Sequence, residues 1–291
     1  MRRAEEQRGR VRRESISLFT RVHVGGSLVK ASVHVLGVTV VIAVFVTPAS
    51  AVVLRWGETS DLANGVLGIP ENLTGDPTTL LFENPGNAGF DVAITFSASN
   101  GTFSGGRGQY EALGTDQYLH FQSSASNHIS WVEFSFYKTG TNDPADVLGF
   151  TTKMEDVERG NSTREWLVAP QIVSDGALID LDFQDTSIFD FGGYGTWGPE
   201  YGTKTVGGII YPVAVPGHNL ENGTQADKAV GIDLSTTPLS YFRIGESRNS
   251  SSAGSVLMGP TIGDITLVPE PATLSLLGLG GLMLIRRRRA A

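Results

Sequence analysis

Three aspartates stand close together in the stretch Asp180-Leu181-Asp182-Phe183-Gln184-Asp185. On an extended strand, residues two apart share a face, so Asp180 and Asp182 are expected to point the same way. Crowding two carboxylates raises the pKa of one, which suits a general acid, and retaining cleavage of a glycoside needs two carboxylates at such close range. The same hard oxygen donors, with Asp190 nearby in sequence, also suit calcium. The plain reading carries more weight than either: a solvent-facing strand edge with its polar residues outward.

A second pattern combines aromatics with glycine, from Gly192 to Gly202. Tyr194, Trp197 and Tyr201 on a loop can stack on the apolar faces of sugar rings while a neighbouring carboxylate accepts hydroxyl hydrogens. The competing reading is a Gly-rich loop whose aromatics tuck into the core. The acidic group Glu155-Asp156-Val157-Glu158-Arg159 reads as a charged turn between two strands, with calcium or a salt bridge to Arg159 as lesser readings. Other chemistries lack their residues. The chain has no cysteine, which excludes thiolate metal sites and Cys nucleophiles. Between the two ends it has only His120, His128 and His218, with no Gly-x-Ser-x-Gly elbow, P-loop or His-Glu-x-x-His motif. No organic cofactor is implied.

The acidic spacing is similar to that of concanavalin-like glycoside hydrolases. Their motif carries Glu at its outer positions. Three shorter Asp side chains would draw nucleophile and acid back from the sugar, so a hydrolase using Asp180, Asp182 and Asp185 stands as the alternative to a non-enzymatic role.

These residues need a scaffold, and the pattern of the chain predicts strands. Phe90–Phe96 alternates Phe90, Val92, Ile94 and Phe96 against Asp91, Ala93 and Thr95. In Ile129–Tyr137, Ile129, Trp131, Glu133 and Tyr137 oppose Val132, Phe134 and Phe136. Further strands are expected at 118–121, 147–152, 165–168, 178–183, 206–215, 230–234, 241–244 and 262–268. In 178–183, Ile179, Leu181 and Phe183 should face inward. Pro212 demotes its strand to an edge or to two pieces. Turn dipeptides punctuate the chain, and no window shows helical periodicity. Short strands with frequent turns indicate an all-β, antiparallel β-sandwich, a jelly roll or a concanavalin-like sandwich.

Both ends of the chain read as targeting segments, leaving one domain from Val52 to Val268 of 217 residues. That domain carries ten Lys and Arg against 26 Asp and Glu. Such an acidic surface disfavours nucleic acid, whose phosphates require clustered basic residues. At the start, eight basic residues precede or flank an apolar run over 33–46, followed by Thr47-Pro48-Ala49-Ser50-Ala51. This is the layout of a signal peptide for the Sec machinery, cleaved after Ala51 at the Ala49-x-Ala51 site. A retained N-terminal anchor is the lesser reading.

The other end has three parts: Pro269-Glu270-Pro271, an uncharged run over 272–285, and Arg286, Arg287, Arg288 and Arg289. The prolines resist joining regular structure on either side, and the arginines are costly to move across a bilayer. As a helix the run spans only ~21 Å, a short transmembrane helix against a ~30 Å hydrocarbon core. In motif, apolar run and basic tail, residues 268–291 resemble the PEP-CTERM sorting signal of exported bacterial proteins. That resemblance implies transient residence in the inner membrane, processing by an exosortase near Pro269-Glu270-Pro271, and release to the cell envelope, the cell surface or the extracellular polysaccharide. The expectation is therefore a surface-sorted sandwich with a structural or carbohydrate-binding role.

Overall fold

The pairing of strands in this molecule follows its alternating residues, and the sheets are where those residues become faces. The computed structural model describes residues 30–35, 38–43, 50–70, 73, 77–99, 104–110, 117–122, 128–157, 165–192, 199–216, 229–248 and 256–269. It divides into one unit of Ala49–Val268 and a second of Met1–Pro48 with Pro269–Ala291. In the second unit β1 (Lys30–Val35) and β2 (Val38–Ala43) pair as an antiparallel hairpin. Its valines, Thr39 and Ile42 are β-branched, and branching at Cβ favours the pleated strand. The C-terminal run expected as a membrane helix lies outside the described residues. Among those described, no helix is long and apolar enough to cross a membrane.

The larger unit begins with β3 (Arg55–Gly57), β4 (Val66–Gly68), β5 (Thr78–Phe82), β6 (Phe90–Ala98), β7 (Ser104–Tyr110), β8 (Gln117–Gln122) and β9 (Ser130–Lys138). It continues with β10 (Val147–Leu148), β11 (Phe150–Glu155), β12 (Glu165–Ser174), β13 (Ala177–Asp180), β14 (Phe189–Asp190), β15 (Pro199–Val206) and β16 (Ile209–Pro216). β17 (Val230–Leu234), β18 (Tyr241–Arg248), β19 (Val256–Met258) and β20 (Thr266–Leu267) complete it. Eight strands form one antiparallel sheet in the order β15-β16-β12-β18-β9-β6-β5, with β13 paired to β12 off that path. Six form a second sheet, β14-β17-β11-β19-β8-β7. From β6 onward the chain passes repeatedly from one sheet to the other, a jelly-roll-like connectivity. The protein is an antiparallel β-sandwich.

The inner faces meet in a buried aromatic core. Phe134 of β9 and Phe242 of β18 pack on Phe150 of β11 with ring centroids 5.6 and 4.8 Å apart, and Phe136 joins at 6.2 Å. All four rings are buried. Val92, Ile94, Ile244, Leu119, Ile232 and Met258 extend the cluster from both sheets. This burial, at about 25 cal/mol per Å² of apolar surface, is the main source of stability.

Several expected elements differ from those observed. The 147–152 strand is split at Gly149, whose φ is +89° and whose missing Cβ would meet Asp264 O at 2.0 Å. Only glycine fits that backbone approach. The 206–215 strand is instead the second arm of a hairpin, turned at Gly207-Gly208 with φ of 58° and 82°. Pro212 is tolerated because β16 pairs with β12 only through Val213 and Ala214. The 178–183 strand stops at Asp180. Leu181 and Phe183 are buried as expected, but Ile179 and Leu178 are 42% and 61% exposed. Among the described residues β13 pairs with β12 alone, off the main sheet path. The 262–268 strand shortens to β20, with Ile262 at the surface. Asp91, placed on the polar side of its strand, is buried and accepts the N–H groups of Asn84 (2.9 Å) and Gly140 (2.8 Å). Glu155 is no solvated turn residue either. It ends β11, fully buried, in an ion pair with Lys153 and accepting from the Tyr118 hydroxyl.

Candidate functional site

The register of the eight-stranded sheet lines up one polar residue from each of six strands. On its outer face Thr79 stands opposite Thr95, Thr95 opposite Glu133, and Glu133 opposite Arg243. Arg243 stands opposite Gln171, and Gln171 opposite Asp180. At ~4.8 Å between strands this row is ~24 Å long. Side-chain hydrogen bonds join parts of it. The hydroxyls of Thr79 and Thr95 are 2.9 Å apart. Arg243 Nη2 donates to Gln171 Oε1, and Gln171 Nε2 donates to Asp180 Oδ1. Tyr241 adds its hydroxyl to Glu133 Oε2 at 3.0 Å. Every member of the row is at least partly exposed.

A second small core supports the row from one side. The β15–β16 hairpin folds over the outer face: Val206, Val213 and Tyr211 pack against Ile129, Trp131 and Val168. Trp131 is thereby only 5% exposed, with Tyr211 at 5.7 Å and the Arg243 guanidinium 4.2 Å above its ring. Gly245, opposite Trp131 in register, leaves room for that ring; a Cβ there would meet it at 2.7 Å. Lys204 of the hairpin donates to Arg248 O at 2.5 Å. Burial lowers the Lys204 pKa to about 8, with the charge of Glu246 working in the other direction. The Tyr241 phenol is pushed up by burial and then by the Glu133 carboxylate, so it stays protonated as a donor.

The three aspartates of the sequence motif do not act as a set. Asp180 ends the polar row. Asp182 Oδ1 accepts the N–H of Gln184 at 2.9 Å and closes its own turn. Asp185 does the same with Ser187, taking its O–H (2.6 Å) and N–H (2.9 Å), and these bonds hold its pKa below the usual carboxylate value. Asp190 accepts the N–H of Gly192 at 2.7 Å. Among the described residues no group of three or more His, Asp or Glu side chains stands close enough to hold a metal ion.

Tyr201 is 42% exposed and meets Phe191 edge-on at 6.1 Å. Its pKa is raised by burial and then by the charge of Asp182, so two sequence candidates do come together there. Tyr194 and Trp197 lie outside the described residues, as do Ala49, Glu270, Pro271 and Arg286 to Arg289. Ala51 is exposed, immediately before the buried Val52. Sequence reasoning missed most of the polar row. Alternation sets Trp131 and Glu133 on one face of β9, but nothing local says which residues of β18, β12 and β13 stand beside them.

The unit closes with β20 and Val268, and exposed Pro269 follows. Residues 267–289 match the PEP-CTERM protein-sorting motif. The chain carries a PEP-CTERM sorting motif. It is therefore an exported protein, sorted by an exosortase-type enzyme to the cell surface or envelope. No match was found among curated proteins.

Proposed function

We propose that this PEP-CTERM protein is a non-catalytic, glycan-binding component of the cell surface or its extracellular polysaccharide, exported through the Sec machinery and held only transiently by the inner membrane. The observation that carries the reading is the polar row from Thr79 to Asp180. It is long, level with the sheet, partly exposed, and composed of hydroxyl, carboxylate, guanidinium and amide groups that pair with sugar hydroxyls as donors and acceptors. The rigid sheet beneath fixes the spacing before any ligand arrives, which lowers the ordering cost of binding. Hydrolysis has less behind it. Asp182 and Asp185 are engaged in separate turns, while Asp180 is tied to Gln171.

Retention of the processed protein on immobilised neutral and acidic polysaccharides tests this. Arg243→Ala combined with Glu133→Ala is expected to weaken retention at least tenfold while leaving the fold intact by circular dichroism. Equal retention of the variant, or no retention of the wild type on any polysaccharide tried, would overturn the reading.

A further inference from the structure

The first and last segments of the larger unit are joined directly to each other. Val52 and Ile265 exchange both of their backbone hydrogen bonds, at 3.0 and 2.8 Å. Leu54 N donates to Thr261 Oγ1 at 2.8 Å, and Thr261 N donates to Leu54 O at 3.0 Å. Trp56 Nε1 reaches Met258 O at 2.9 Å. Val52, Leu54, Trp56 and Ile265 are all buried. The connection runs to the last residue of the unit, since β20 pairs with β10 and Val268 N donates to Asp146 O at 2.8 Å.

This clasp sits immediately beside the sorting motif. Val268 is separated from the apolar run at Ala272 by Pro269, Glu270 and Pro271 alone, a reach of at most ~11 Å. An enzyme that cuts a peptide bond needs free, extended backbone around it. Between Thr261 and Val268 backbone groups are held by Leu54, Thr151, Val52, β10 and Asp146, and exposed Pro269 follows them. With the clasp open, residues 256–268 would offer a second stretch of accessible chain directly upstream.

We propose that the processing enzyme meets this protein folded, at the pole where its two ends are joined, and that the closed clasp confines the cut to the motif. The mature protein then keeps β20, and its C-terminus falls between Val268 and Pro271. The proposal rests on the sorting motif and is independent of the glycan reading.

The full chain, expressed in a host that processes it, provides the test, with pulse-labelling for tail loss and mass spectrometry of the mature C-terminus. Ile265→Asp places a charge at a buried clasp position and is expected to open the clasp, so that a several-fold larger share of the mature C-termini falls upstream, within residues 256–268. Ile262→Asp, at a 65% exposed position of the same segment, is expected to process at the wild-type rate. Because Ile265→Asp can act by misfolding, a locked clasp supplies the second arm. The chain has no cysteine, so Leu54→Cys with Thr261→Cys offers a single disulfide in the exported compartment. The oxidised double variant is expected to lose its tail at the wild-type rate and to end between 268 and 271. A cross-linked chain that keeps its tail or ends upstream of Thr266, or an Ile265→Asp chain that folds and ends only between 268 and 271, would overturn the proposal.

Discussion

The two faces of the eight-stranded sheet are built from the same strands and do opposite work. On β9 and β18 the inner residues Phe134 and Phe242 meet Phe150 in a buried core, whereas the outer residues Glu133, Tyr241 and Arg243 join in hydrogen bonds at a partly open surface. Period-two alternation makes this possible, because every strand contributes one residue in two to each face. The difference teaches where each kind of change will register. Inner substitutions should alter stability, and outer ones should alter what the surface holds.

The largest effect is expected inside. Phe242→Ala should cost about 3–5 kcal/mol by losing apolar transfer energy and leaving a cavity, read by chemical denaturation. A loss under ~1 kcal/mol would mean that the inner face is not the stabilising one.

Arg243→Ala comes next, at about 1–2 kcal/mol. It removes the guanidinium from the Trp131 ring and breaks the row at its centre. Its effect on polysaccharide retention should exceed its effect on the unfolding midpoint, and the reverse ranking would erase the contrast between the faces.

Lys204 sharpens the comparison through pH. Its folded pKa of about 8 lies below its ordinary 10.5, so between those values the unfolded chain binds more protons than the folded one. Stability should therefore rise with pH across that window, and be indifferent to this group below it. Lys204→Met should flatten that rise in denaturation curves taken from pH 7.5 to 10.5.

The smallest effect belongs to Asp185, outside both faces. Its lowered pKa contributes stability that is present above the ordinary carboxylate range and lost as pH falls through the folded value. Asp185→Asn should lower the neutral-pH midpoint slightly, leave the polysaccharide retention unchanged and remove that acid-side dependence. A marked loss of retention would return the acidic motif to the centre of function.

Much of the fold was legible because its signals are local. Alternation in 90–96 and 129–137 marked the strands, since the pleat needs no knowledge of the partner strand, but not what covers each face: Asp91, Ala93, Ile129 and Trp131 are buried as well. The sandwich class followed from many such strands with turns between them. Errors arose where a neighbour decided the outcome. Gly149 breaks a strand because Asp264 passes over it, and Leu178 and Ile179 are exposed on β13, which among the described residues pairs with β12 alone.

The sorting motif is the part that sequence determined by itself: a processing enzyme and a bilayer read composition and order over a short contiguous stretch. The row from Thr79 to Asp180 was decided by tertiary structure alone. Its members are drawn from positions 79 to 243, and only the register of six strands places them side by side, as a shift of one residue would turn them to the opposite face. The clasp between Val52 and Ile265 has the same origin, for two ends of a chain carry no local sign that they will meet.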